Sequence, residues 1–121
     1  MEGNILRDKS YAFALKVIGV YRYLSSNKNE FVLSKQLLRS GTSIGANIEE
    51  SIGGYSEKDF SAKLSIAYKE ARETHYWIRL LKDTNLLTEN QTTELLDNCD
   101  ELIRITGKIL STMRKKQKYQ K

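Results

Sequence analysis

The sequence holds one histidine, His75, and one cysteine, Cys99, so the side chains most used in acid–base, nucleophilic and metal chemistry are scarce. A di-iron helical bundle takes Glu-x-x-His from two helices. Here the residue three before His75 is Arg72, and there is no second histidine. Zinc sites need clustered cysteine and histidine, which the chain lacks. Cys99 sits at the spacing of a core residue, where a free thiol reads as a small buried hydrophobe rather than a nucleophile. Glu49 and Glu50 are adjacent and point in different directions on a helix, a poor arrangement for an acid/base pair. Glu70 and Glu73, three apart among Lys69 and Arg72, suit surface ion pairs of ~0.5 kcal/mol each. No catalytic residue, cofactor site or metal ligand is assigned, and an enzyme is not expected.

Binding chemistry has three candidates. The stretch "SGTSIGANIEES", residues 40–51, places Gly41 and Gly45 four apart. A phosphate loop would need a Gly-Lys-Ser/Thr ending or GxGxxG after a strand, and neither is present. On a helix the two glycines fall near Leu37, Ile44, Ile48 and Ile52, on the core face. They are read as removing bulk so that a neighbouring helix, or a ring such as Tyr21 or Trp77, packs close. That closeness must offset roughly 1 kcal/mol per mid-helix glycine. The opposite face carries Arg39, Ser43, Asn47 and Glu50, either a solvated face or a polar seam against a partner subunit.

The second candidate is an extra apolar patch, Ile66, Tyr76, Trp77 and Leu80, which projects away from the main stripe of the third helical segment. It either widens that stripe or forms a surface between subunits, where Trp and Tyr are enriched; self-association is favoured. The third candidate is the end of the chain, "RKKQKYQK". Arg114, Lys115, Lys116, Lys118 and Lys121 give five positive charges and no acid there, which leaves the remaining chain neutral with 15 basic and 15 acidic residues. Such a cluster is either a solvated terminus or a sequence-indifferent phosphate-backbone binder, multiplied by avidity if it recurs around an oligomer.

The elements that must position these residues read as helices. There is no proline among the 121 residues, and 29% are charged. Polar breaks at "SSNKNE", "GGYS" and "KDTN" divide the chain into four segments, at about 5–25, 34–53, 57–82 and 88–114. Ser34, Ser56 with Asp59, and Thr88 with Gln91 are start signals. Apolar periodicity supports the division: Phe13, Val17, Val20 and Leu24; then Phe60, Leu64, Ala67, Ala71, Thr74, Ile78 and Leu81; then Leu95, Cys99, Leu102, Thr106, Ile109 and Met113. Short connections between amphipathic helices predict a single domain, an antiparallel up-down four-helix bundle with a basic C-terminal tail at 114–121.

No apolar run approaches the ~18 residues of a membrane span, and "MEGNILRDKS" lacks the core of a signal peptide. With a lone cysteine, these features predict a cytoplasmic protein without a membrane partner.

The stretches "LRSGTSIGANIEES" and "SEKDFSAKLSIAYKEARETHYWIRLLKDTNLL" resemble the bacterial four-helix bundle protein family. It is also called the 23S rRNA intervening-sequence protein family, or S23-type ribosomal protein. The likeness runs from about Tyr11 to Leu110. Many members have proline where this chain has Gly45, and Ala-Glu-Gly where it has Glu-Glu-Ser, so the "SIGAN" form reads as a subgroup variant. The resemblance implies an up-down four-helix bundle and a homo-oligomeric ring, a pentamer, with no settled activity. Arg39, Ser43, Ile44, Asn47, Glu49, Glu73 and Trp77 match the recurring motif as structural residues. A related branch, the accessory variability determinant of diversity-generating retroelements, is a basic pentamer that binds nucleic acid, which implies nucleic-acid binding here. The leading expectation is a homo-oligomer that binds RNA or DNA weakly through its C-terminal bases. The alternative is an oligomeric scaffold for another protein, with no nucleic acid bound.

Overall fold

The computed structural model describes residues 2–119, all within four helices and their connections, with no strand among them. The helices are α1 (Glu2–Asn27), α2 (Leu33–Ile52), α3 (Glu57–Asp83) and α4 (Glu89–Tyr119). The last exceeds its expected length: it runs on as helix through the basic segment, so Arg114 to Lys118 stand on helical turns and not on a separate tail. Lys121 lies outside the described residues.

Residue numbers fall on each helix as they rise on its neighbour, so successive helices are antiparallel. Gly41 of α2 faces Val17 of α1, and Gly45 faces Ser10. Arg39 reaches Glu73 of α3 while Glu50 reaches Lys63. Tyr68 of α3 lies against Gly107 of α4, and Ala71 against Cys99. The square is closed most loosely between α1 and α4. There Lys9 pairs with Glu101 at 3.1 Å, and Lys16 holds Glu94 and Asn98.

The expected stripes line the core. Leu64, Ala67, Ala71, Thr74, Ile78 and Leu81 are buried on α3, and Leu95, Cys99, Leu102 and Thr106 on α4. Each large aliphatic group sealed in this way contributes ~1.5–3 kcal/mol against the entropy of ordering it. The α2–α3 seam is built from small residues. Ser40 on α2 and Ala67, Ala71 and Thr74 on α3 are all buried, and the Ser40 and Thr74 hydroxyls touch at 2.9 Å. No described buried side-chain polar atom lacks a partner.

The helix starts use the expected caps with one exception. Thr88 and Gln91 form a reciprocal box: the Thr88 N–H donates to Gln91 Oε1 (2.8 Å) and the Gln91 N–H to Thr88 Oγ1 (3.2 Å). Ser56 Oγ accepts from the Asp59 N–H at 3.1 Å. At α2 the cap is not Ser34, which is buried in the first turn and donates to the Glu30 carbonyl. Instead the Glu30 carboxylate accepts the N–H groups of Val32, Leu33 and Ser34. Burial raises the Glu30 pKa, but these hydrogen bonds outweigh it and hold the carboxyl below its ordinary value of 4.5. Neither Gly53 nor Gly54 has positive φ, so neither makes a left-handed turn. A Cβ on Gly54 would meet the Ser51 carbonyl at 3.1 Å.

Candidate nucleic-acid interface

Gly41 and Gly45 bring α2 against α1, not against Tyr21 or Trp77. A Cβ on Gly41 would stand 2.8 Å from both γ carbons of Val17; one on Gly45 would stand 3.4 Å from the Ser10 carbonyl oxygen. No strand and no loop enter this stretch, so it cradles no phosphate.

The motif residues separate into a core member and a surface clamp. Ile44 is fully buried. Asn47 Nδ2 donates to the Ser43 carbonyl at 2.9 Å, and Glu49 is exposed on the outer face of α2. Arg39 crosses from α2 to α3, donating to Glu70 Oε2 at 3.2 Å and to Glu73. The same Glu73 oxygen accepts from Trp77 Nε1 at 2.9 Å. Glu70 and Glu73 therefore hold two helices together rather than pairing along one. The arrangement is structural: each carboxylate is spoken for by a donor.

The patch Ile66, Tyr76, Trp77 and Leu80 is uneven. Ile66 and Tyr76 are 41% and 47% exposed, whereas Trp77 and Leu80 are half-buried and Trp77 packs on the core. At 100° per residue Ile66, Leu80 and Trp77 lean toward α2, while Tyr76 leans the other way, with Arg72 and Arg79.

The described bases of the last segment, Arg114, Lys115, Lys116 and Lys118, are all exposed. Lys116 is engaged internally, 3.3 Å from Glu57. Lys115 and Lys118 fall within about 80° of Arg104 and Lys108, on the side of α4 opposite its core stripe. Arg104 and Lys108 are exposed too, and no ion pair is formed by Arg104, Lys108, Arg114, Lys115 or Lys118 among the described residues. Sequence reasoning missed Arg104 and Lys108. The signal was present: no acid follows Glu101, and no base lies between Lys82 and Arg104. Counting charge over the whole body averaged this segregation away.

Cys99 is buried, with its thiol 3.2 Å from the Ala71 carbonyl. Burial, with Asp100 adding to it, pushes the thiol up to about 12, far from a reactive thiolate. His75 Nε2 lies 3.0 Å from Asp100 Oδ1 across the α3–α4 seam. Among the described residues no group of acids, His and Cys could hold a metal ion, and no helix is long and apolar enough to cross a membrane.

A family model described as 23S rRNA-intervening sequence protein matches residues 2–108. A crystal structure of a protein of unknown function from the S23 ribosomal protein family of Bacteroides thetaiotaomicron superposes with a TM-score of 0.89 at 43% identity, covering 92% of this chain and 99% of that one. No curated protein matches the chain.

Proposed function

The chain belongs to the 23S rRNA-intervening sequence protein family, and from that premise we propose that it is a non-enzymatic, cytoplasmic homo-oligomer that binds RNA or DNA through the phosphate backbone. The observation that carries this reading is the unpaired row of Arg104, Lys108, Lys115 and Lys118 on one exposed face of α4, with Arg114 beside it. By contrast Lys9, Lys16, Arg39, Lys63 and Lys116 each have a carboxylate partner. A rigid row of lysines and arginines reads phosphate charge and not base identity. Self-association, a pentameric ring in the form the family resemblance implies, would use Ile66, Trp77 and Leu80 and would repeat the row, so that weak contacts add through avidity.

The test is fluorescence anisotropy with a labelled structured RNA and a duplex DNA at about 50 and 200 mM salt. Four phosphate contacts predict a loss of affinity of roughly 50- to 150-fold across that range. Lys115→Gln with Lys118→Gln should halve the salt slope while leaving the helix intact. Absence of binding at the lower salt refutes the reading, and would leave a protein scaffold that engages its partner through the helical faces.

A further inference from the structure

The outer face of α3 carries aromatic and cationic side chains in alternation: Tyr68, Arg72, Tyr76 and Arg79, spaced by four, four and three residues. At 1.5 Å per residue this row is roughly 16 Å long, and all four members fall within about 80° of one another. The side chains are arranged in pairs. Arg72 lies over the Tyr68 ring at 5.8 Å and donates to the Tyr68 hydroxyl at 3.3 Å; Arg79 lies over the Tyr76 ring at 5.9 Å. Each ring thus steadies a guanidinium without neutralising it. Tyr68 is itself fixed against α4, where Gly107 makes room: a Cβ there would stand 3.1 Å from the ring. Tyr76 is not covered and keeps nearly half its surface open.

We propose that this row, Tyr68–Arg72–Tyr76–Arg79, is a platform for single-stranded nucleic acid, with a base stacked on Tyr76 and the backbone held by Arg72 and Arg79. The proposal deepens the nucleic-acid reading above and rests on it. Between the two guanidinium groups lies a shallow hollow lined by Arg72, His75 and Arg79 of α3 with Asp100 and Ile103 of α4. It is the place for a phosphate. The carboxylate in it, Asp100, is turned to His75. Of the neighbouring carboxylates, Glu73 is engaged by Arg39 and Trp77, and Asp83, one turn beyond Arg79, ends the row. Lys69 is exposed beside it. Stacking on an aromatic side chain needs a base free of its duplex, whereas backbone charge does not distinguish the two. The platform therefore selects single strands over duplexes, which the α4 row alone would not.

The chain provides its own reporter. Trp77 is the sole tryptophan, and its ring meets Tyr76 edge-on with centroids 5.1 Å apart. A base on Tyr76 should change Trp77 emission. The experiment titrates the full chain with a labelled single-stranded RNA and a duplex of equal length at about 50 mM salt, following anisotropy and tryptophan emission together, with the oligomeric mass of each variant checked by light scattering. Tyr76→Ala should weaken single-strand binding roughly 5- to 150-fold, the range for removing one aromatic platform. It should abolish the emission change and leave duplex binding and mass unaltered, while Tyr76→Phe should bind as the wild type does. Equal loss for duplex and single strand, no loss for Tyr76→Ala, or a changed mass for that variant would overturn the platform. In each of these cases salt-sensitive binding lost by Lys115→Gln with Lys118→Gln would leave the α4 reading standing. Absence of binding by either nucleic acid would overturn both.

Discussion

Replacing Gly41 by alanine adds one methyl group between α1 and α2. That methyl would lie 2.8 Å from both γ carbons of Val17, where carbon atoms settle at ~3.5–4.0 Å. Val17 is fully buried and, being β-branched, is confined to one helical rotamer, so it cannot swing aside. The two helices must part by up to about 1 Å. Overpacking of this kind costs ~1–3 kcal/mol, against a gain of about 1 kcal/mol for alanine over glycine within a helix. Gly19 supplies the control. It sits within α1 with nothing within 4 Å of an added Cβ, so Gly19→Ala should gain about 1 kcal/mol. The difference between the two variants cancels the propensity gain and isolates the packing cost, ~1–3 kcal/mol. Urea unfolding followed by far-ultraviolet circular dichroism, at one fixed protein concentration, measures both. Val17→Ala added to Gly41→Ala should recover much of the loss, a positive coupling between neighbours. If Gly41→Ala stabilises as much as Gly19→Ala, the close approach of α1 and α2 is refuted.

Two further outcomes follow from the same packing. Glu30→Gln should cost about 1 kcal/mol at neutral pH, the value of a helix cap. The folded pKa of Glu30 lies below 4.5, so its contribution is complete above that pH and is lost as pH falls through the folded value. Wild type and variant should therefore converge in stability as the solution is acidified, and a constant gap down to about pH 3 would contradict the cap. Cys99, with its thiol pushed up to about 12, should resist iodoacetamide in the native protein and react after unfolding in urea; stoichiometric labelling of the native chain would place it outside the core.

Much of the fold was legible because it rests on a period that survives without tertiary knowledge. The α3 stripe from Phe60 to Leu81 and the α4 stripe from Leu95 to Thr106 read directly as core faces, and they are. Thr88 with Gln91 was legible for the same reason: a cap is a local contact at fixed spacing. Contacts between helices were not. Spacing placed Gly41 and Gly45 toward the interior but could not say that Val17 and Ser10 waited there. Glu70 and Glu73 looked like partners for their own helix because only the helix is visible in a sequence; their donor, Arg39, comes from α2. Ser34 fits a cap by its type, yet Glu30 has the longer reach and captures three N–H groups from outside the helix.

The charge on α4 needs an explanation that the fold does not supply. Acids occupy its first half and bases its second, a pattern that favours the helix dipole. The dipole, however, acts within the first and last turns, while the sign changes in the middle, between Glu101 and Arg104. Internal pairing engages three of the acids. Glu94 and Glu101 tie α4 to α1, and Asp100 ties it to His75 of α3. The same account fails for the bases. Only Lys116 finds a carboxylate, and Arg104, Lys108, Lys115 and Lys118 stand clear of the bundle without one. Like charges held on one rigid face repel each other and cost stability. A row of that kind is favoured when an anion outside the chain meets it, and a phosphate backbone, with its charges in a line, has the matching form.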